Sequence, residues 1–311
     1  MEDWASAAMV RVMQAGVARL GLPTLGHLKA QTNAQVPLQA KQAVIGHILC
    51  VGGWTALLQI GQGVHDISDE PLLQLLVKPG QPWLVLKTWL KLERYLHSRH
   101  RILQTPISHC EVLHAHAGKE EGTTPSAAES WLVMGVLTAL LERSGCHQVE
   151  ASIGAGNTVL LAGSVTASEK QLIKWSHLPG CHSWRLMWQI SQGQSASAVL
   201  KGSTTRTLQQ QIANWIHHKD GWHADLGDIA ESLNMSRRTL QRKLNLEGTR
   251  FVDVVGQVRT QRAADMLVGS HAGLAEIGFT SGYTDQAHFC RDFKRRTGLS
   301  PKSFRDTSMA V

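Results

Sequence analysis

Apolar positions along this chain follow two regimes that meet near residue 200. In the first, helical spacing marks Ala8–Leu20, Trp83–His97 and Ala127–Arg143, each flanked by Pro, Gly or Ser. Between them, Ile107–His116 and Ser183–Ile190 alternate and are rich in Trp and β-branched residues, which predicts strands. Helices and strands interspersed in this way predict a mixed α/β domain over 1–200. Ser191–Thr205 (SQGQSASAVLKGSTT) is rich in Ser, Gly and Gln and reads as a linker or a loosely packed connecting helix. From Thr205 onward the pattern is helical. Leu208, Ile212, Trp215 and Ile216 mark one amphipathic helix. Leu226, Ile229, Ala230 and Leu233 mark the next, with Asp225 placed to cap it. Phe251–Val268 reads as a longer helix that buries Phe251, Val254, Val255, Val258 and Leu267. The expected fold is α+β, with the mixed domain followed by an all-α domain over 205–311.

Inside the helical region, DLGDIAESLNMSRRTLQRKLNLEG (226–247 at its core) reads as helix, turn, helix. Ala230 stands where the helices cross, and a small side chain there permits close approach. Asn234 tolerates the left-handed conformation that the turn requires. Ser236 is placed to cap a second helix starting at Arg237. Leu240 and Leu244 face inward, leaving Arg237, Arg238, Gln241, Arg242 and Lys243 outside. Arg and Gln carry the forked donors and acceptors that match guanine and adenine edges in a major groove.

The arrangement recurs over 274–297 in LAEIGFTSGYTDQAHFCRDFKRRTG. Ile277, Gly278, Gly282 and Thr284 follow Ile229, Ala230, Asn234 and Ser236 by 48 residues. Phe289, Arg291 and Phe293 follow Leu240, Arg242 and Leu244 by 49, so one residue is inserted at the start of the second recognition helix. The connecting helix of eighteen residues spans about 27 Å at 1.5 Å per residue. That length suits two recognition helices held at about the 34 Å spacing of successive major-groove segments.

Charge supports a polyanionic partner only mildly. The chain of 311 residues carries 31 Lys and Arg against 24 Asp and Glu, a net +7. The last helices concentrate it: Arg291, Lys294, Arg295, Arg296, Lys302 and Arg305 face only Asp292. No uninterrupted apolar run is long enough to cross a bilayer, the best being Trp131–Leu141. Glu2 and Asp3 replace the basic start of a signal peptide. The five cysteines are scattered, with no CxxC, which predicts reduced thiols and a cytoplasmic protein with no membrane partner.

Other features have a functional and a structural reading. His109, His114 and His116 invite a metal, because two of them share a strand face, but no Cys or carboxylate sits at the usual second spacing. A polar strand face or pocket wall is the favoured alternative, and no metal is expected. Trp54, Trp83, Trp89, Trp131, Trp175, Trp184 and Trp188 would line an apolar effector pocket or simply fill the core. Gly61-x-Gly63 and Gly154-x-Gly156 lack the strand–helix context of a nucleotide fingerprint. No GxSxG, HExxH or Walker loop is present, so neither a catalytic residue nor a cofactor is expected.

The segment from about Thr205 to Arg305 resembles the DNA-binding domain of the AraC/XylS family of bacterial transcription regulators, most clearly over GYTDQAHFCRDFKRRTGLSPKSFR. The resemblance implies seven helices with two helix-turn-helix units, double-stranded DNA as partner, an activator role and contact with RNA polymerase. Carried over residue by residue, its base-contacting positions are Arg238, Gln241 and Arg242 on the first recognition helix, and Gln286, Ala287 and Arg291 on the second. Arg237, Lys294 and Arg295 complete the expected DNA-binding set. Gly278 and Tyr283 depart from the family's Ala and Phe, and Gly278 is expected to loosen its helix by about 1 kcal/mol. TWLKLERYLHSRHRI and ESWLVMGVLTALLERSGC are similar in helix pattern to the family's arabinose-binding-like sensor domains. That likeness implies a small-molecule effector or a homodimer contact and assigns no ligand residue. The alternatives are an enzyme or DNA-repair protein with a DNA-targeting tail, and a ligand-independent regulator whose first domain only dimerises.

Overall fold

The helix expected at Ala127–Arg143 forms with those bounds in the computed structural model and lies at the centre of the first of two units. Residues 3–24, 34–67, 70–77, 79–96, 99–154, 156–190, 208–218 and 225–309 are described. The units are Met1–Gly26 with Gln35–Ala196, and His27–Ala34 with Ser197–Val311. The linker expected at Ser191–Thr205 lies outside the described residues.

In chain order, the first unit comprises β1 (Trp4–Ser6), α1 (Ala7–Arg19), β2 (Gln35–Pro37), α2 (Leu38–Gln59), a 3-10 segment (Ile60–His65), α3 (Pro71–Leu76) and α4 (Pro82–Leu96). It continues with β3 (His100–Ser108), β4 (Glu111–Gly118), α5 (Ala127–Arg143), β5 (Cys146–Ile153), β6 (Asn157–Leu161), β7 (Ser164–Val165), α6 (Glu169–Ser176) and β8 (Ser183–Ile190). Six strands form one antiparallel sheet in the order β3-β4-β8-β5-β6-β7. The fold class is thus α+β, as the residue pattern predicts.

Helix α5 starts where Ser126 accepts from the Glu129 N–H and the Glu129 carboxylate accepts from the Ser126 N–H, a capping box. It is buried along nearly its whole length, which fits a helix apolar all round. Glycines let its backbone meet the 3-10 segment directly. A Cβ on Gly61 would overlap the Gly135 carbonyl, and one on Gly63 would overlap the Val12 carbonyl. Packing accounts for the Gly61-x-Gly63 pair.

Two expectations are corrected. Ile107–His116 is not one strand but spans a hairpin, with β3 and β4 meeting at a turn over His109 and Cys110. The Ser108 side chain accepts from the Cys110 N–H there. Alternation continues on both sides of the turn, so its period gives no sign of the reversal. Trp131–Leu141 is not the most membrane-like stretch either. Leu38–His65 is long and apolar enough to cross a bilayer by length and composition. In this unit its Val44, Ile48, Leu57 and Leu58 are buried, and it bends at Gly53, whose φ is 68°. Glu169 caps the restarted helix by accepting from the Trp54 N–H at 2.7 Å and the Thr55 N–H at 3.1 Å. Burial opposes its ionisation, but these donors outweigh it and hold the carboxyl below its ordinary range.

Tryptophans mostly fill the core: Trp131 and Trp184 are fully buried, and Trp54 meets Trp131 edge-on at 4.9 Å. His114 stacks on Trp184 with ring centroids 5.6 Å apart. Neither His114 ring nitrogen has a partner among the described residues, and burial pushes its pKa down to about 3.

The second unit is helical throughout its described residues: α7 (Leu208–His218), α8 (Leu226–Ser232), α9 (Arg237–Leu246), α10 (Phe251–Gly269), α11 (Leu274–Thr280), α12 (Gln286–Thr297) and α13 (Pro301–Met309). Leu208, Ile212, Ile216, Ile229, Leu240, Leu244 and Val258 share one apolar cluster. Phe251, expected inside, is only partly buried at the edge of that cluster.

The buried imidazole of His114 makes stability depend on pH. An unfolded His titrates near 6.5, so below that pH the unfolded chain binds a proton that the folded chain refuses. Stability should therefore fall by about 1.4 kcal/mol per pH unit per such group on acidification. His114→Phe keeps the ring stack and removes the proton. Denaturant titrations of the full chain at pH 7 and pH 5 should show a smaller acid loss for H114F than for the parent. Equal losses would refute this account.

Candidate nucleic-acid interface

Each recognition helix is fixed by three local devices. The first is a small residue at the crossing: Ala230 shares a buried cluster with Leu240 and Leu244, and Gly278 lies beneath Phe289. The second is a left-handed turn residue, Asn234 at φ 53° and Gly282 at φ 88°. After each turn, a backbone N–H returns to the crossing residue: Met235 donates to the Ala230 carbonyl at 2.8 Å, and Tyr283 to the Gly278 carbonyl at 3.0 Å. The third device is an N-cap. Ser236 accepts from the Thr239 N–H at 3.1 Å, and Asp285 accepts from the His288 N–H at 2.7 Å. The His288 N–H holds the Asp285 carboxyl below its ordinary range.

The caps relocate the inserted residue. Asp285, not Thr284, is the counterpart of Ser236, because it is the residue that caps α12. The extra residue therefore lies in the turn, and the two recognition helices align from their first residues at an offset of 49.

With Leu240 and Leu244 buried on α9, and Phe289 and Phe293 buried on α12, the opposite faces are open. Arg237, Arg238, Gln241, Arg242, Gln286, Ala287, Arg291, Lys294 and Arg295 are all exposed. Arg237 leans back to Asp225 at 3.4 Å. Asp225 caps α8 by accepting from the Gly227 and Asp228 N–H groups, and its carboxyl is held low by those bonds.

Gly278 has a packing reason. A Cβ there would stand 3.1 Å from Phe289 Cβ and Cδ1, so the larger side chain that replaces Leu240 takes the space an alanine methyl would use. Tyr283 also differs from the family's Phe to some purpose. Its hydroxyl contacts Thr260 Oγ1 at 3.2 Å and donates to Asp292 Oδ2 at 3.2 Å. Burial pushes that phenol well above its ordinary range. Asp292 also accepts from Arg296 Nε at 2.9 Å and from Arg295. Burial opposes its ionisation, but the two guanidiniums outweigh it and hold the carboxylate low.

Beside this network, between α10 and α12, lies an open cavity of about 590 Å³ walled by Arg250, Arg259, Tyr283, His288, Asp292 and Arg295. Its α10 contribution was not among the expected site residues. Asp292, the lone acid in a basic stretch, was the available signal for it.

Other candidate chemistries gain little from the geometry. His109 lies in the β3–β4 turn, where its carbonyl accepts from Trp83 Nε1. His116 Nδ1 and His182 Nδ1 share the Ser130 hydroxyl at 3.1 and 3.0 Å. No metal-capable group of three was found among the described residues. Burial pushes the thiols of Cys146, Cys181 and Cys290 up, opposite to what an activated nucleophile needs.

Residues 229–307 match a family model described as a helix-turn-helix domain. Among curated proteins, the chain is 36% identical over 84 residues to the urease operon transcriptional activator of Escherichia coli, covering 27% of this chain and 28% of that protein. It is 32% identical over 122 residues to the HTH-type transcriptional activator CfaD of Escherichia coli, covering 38% and 46%. The chain thus spans less than half the length of either relative. Among solved structures, it is similar to a DNA-binding transcriptional dual regulator from Escherichia coli K-12, with 22% identity, 33% of this chain and 98% of that chain covered, and a TM-score of 0.32.

The Gly278–Phe289 fit predicts coupling between the two positions. Gly278→Ala should fail to stabilise the parent protein, because the helix-propensity gain of about 1 kcal/mol is offset by crowding. In a Phe289→Leu background the same change should raise the unfolding midpoint relative to F289L alone. A double-mutant cycle by chemical denaturation checks this, and strict additivity would refute it.

Proposed function

We propose that the chain is a sequence-specific regulator of transcription that reads two successive major-groove segments of double-stranded DNA, with residues 229–307, which match the helix-turn-helix family model, as its AraC-type reader. The observation that carries this reading is the repeat of one exposed polar face on two capped helices. Arg238 and Arg242 on α9 have Ala287 and Arg291 as counterparts on α12, 49 residues on in each case. Between them, α10 has nineteen residues, about 28 Å of helix.

Arg242 and Arg291 stand one turn into their helices and point away from the buried leucines and phenylalanines. We assign them, with Arg238, Gln241, Gln286 and Ala287, to base edges. Arg237, Lys294 and Arg295 flank these faces and are assigned to phosphates. The relatives carry names of transcriptional activators, and activation through RNA polymerase is the direction we propose. In this reading the first unit is the effector-responsive part.

Two variants separate these roles. Arg242→Ala should reduce the ratio of cognate to random-DNA affinity by about 5- to 150-fold, the worth of one bidentate base contact. Lys294→Ala should weaken binding to all sequences alike and lower the slope of log affinity on log salt by about one. Titrations on a selected bipartite site and on random duplex at several salt concentrations provide the readout. An unchanged cognate-to-random ratio in R242A would overturn the base-reading assignment.

A further inference from the structure

Helix α12 has two flanks beside the face assigned to bases, and one of them opens onto a cleft. At about 100° per residue, Lys294 lies about 60° to one side of Arg291, while Arg295, His288 and Asp292 lie about 40°, 60° and 100° to the other. That second flank is one wall of the open cavity of about 590 Å³. The opposite wall is α10, where Arg250, Asp253, Gly256 and Arg259 recur at every third residue. Gly256 lets the walls close at their base, because a Cβ there would collide with the Arg296 guanidinium. Arg296 Nη1 also donates to the Asp253 carbonyl at 3.4 Å.

The charges of this cleft do not cancel. The guanidiniums of Arg250, Arg259, Arg295 and Arg296 meet only the carboxylates of Asp253 and Asp292. Arg250 pairs with Asp253 at 2.8 Å, and Arg296 pairs with Asp292 at 2.9 Å. A guanidinium has five donors in a planar fork, so the Asp253 pair leaves donors over on Arg250, whose side chain is 70% exposed. Arg259 is half-buried, and burial lowers its pKa while Tyr283 and Asp292 oppose the shift. A guanidinium short of solvent gains more from a nearby anion than a fully hydrated one does. The excess of positive charge therefore calls for an anion that accepts from a planar fork, as phosphate does. Phe251 and Val252 add an apolar rim at the start of α10.

The size of the cavity would suit a small molecule, but it is an open trough beside a recognition helix. A helix about 10–12 Å across fills a major groove about 12 Å wide, so the phosphates of the two strands pass along its two flanks. Lys294 meets one strand. The other passes on the side of the cleft.

We propose that the α10–α12 cleft is the seat of a DNA backbone phosphate, bound by Arg250 and Arg259 from the helix that joins the two readers. The seat rests on the reading of α12 as a major-groove helix and adds α10 to the interface. Helix α10 is then more than a spacer, because it holds the strand whose bases α12 faces. Asp253 opposes the phosphate, since it holds Arg250 back and adds a negative charge beside it.

The test uses the full chain with a selected bipartite duplex and a random duplex. Arg250→Gln should weaken binding to both alike and lower the slope of log affinity on log salt by about one. Arg259→Gln should do the same, whereas Arg259→Lys, which keeps the charge, should retain the parent slope. Asp253→Asn removes the opposing carboxylate and should tighten binding to both duplexes several-fold, an outcome that damage to the fold does not produce. Phosphates of the bipartite duplex are then replaced one at a time by uncharged methylphosphonates. One replacement should weaken the parent and leave Arg250→Gln no weaker than it already is. A parent slope retained in both glutamine variants, or weaker binding by Asp253→Asn, would overturn the seat without touching the base-reading test on Arg242. Saturable stabilisation by sodium pyrophosphate, with the parent DNA slope retained in both glutamine variants, would assign the cleft to a free phosphate and likewise overturn the backbone seat. A parent that binds no duplex would overturn the reader and the seat together.

Discussion

The close crossing of two helices in each helix-turn-helix unit is the constraint from which the rest of the interface follows. At the second crossing only a hydrogen separates the Gly278 backbone from the Phe289 side chain, and at the first the small Ala230 is packed into the cluster that holds Leu240 and Leu244. Bringing the helices that close leaves the chain only a few residues in which to reverse. One of them must be left-handed, the role of Asn234 and Gly282. The second helix then starts after a residue whose side chain accepts its third N–H, and its rotation about its own axis is set. Once Leu240 and Leu244, or Phe289 and Phe293, are buried, the 100° step between residues dictates which side chains face outward. The polar faces of α9 and α12 are thus a consequence of apolar packing. An exposed side chain on these faces is only as well placed as the leucine or phenylalanine behind it.

Electrostatics refine this placement. The basic run on α12 would repel itself along one helix without Asp292. That carboxylate gathers Arg295, Arg296 and the Tyr283 hydroxyl into one partly buried group. Arg296 lies over Gly256, where a Cβ would collide with its guanidinium, so the network also fixes α12 against α10. Tyr283 does here what Phe would not. Its hydroxyl supplies the inner end of a chain of hydrogen bonds whose outer end orients Arg295 at the exposed face. The residue that departs from the family's usual choice is therefore part of the rigidity of the second unit, and Gly278 belongs to the same packing solution.

Much of this second unit was legible in the sequence because its determinants are local. The caps at Asp225 and Ser236, the turn at Asn234 and the buried leucines all lie within one or two helical turns of what they control. The misplaced position of the inserted residue arose because Thr284 and Asp285 are both competent caps, and only the hydrogen bond to His288 distinguishes them. The first unit was less legible for the opposite reason. Helix α2 is too uniformly apolar to show a period, and its bend at Gly53 is capped by Glu169, more than a hundred residues away. The β3–β4 hairpin hides inside one unbroken alternation. No spacing rule joins Lys41, Trp89, His100 and Glu129, which lie on four different elements and meet only in the folded unit.

That last group has an energetic meaning of its own. A lysine and a glutamate facing each other at 4.0 Å inside an apolar unit gain less from mutual attraction than they lose in hydration, and a methionine at position 41 would fill the same space without that loss. Stability of the first unit is therefore not what the pair provides. What an apolar replacement would not provide is a titratable pair at the junction of α2, α4, α5 and the first two strands of the sheet. A buried, titratable ion pair makes the energy of that junction depend on pH, whereas a methionine would make it indifferent. The recognition helices are over-determined by caps, turns and packing, while this junction is under-determined.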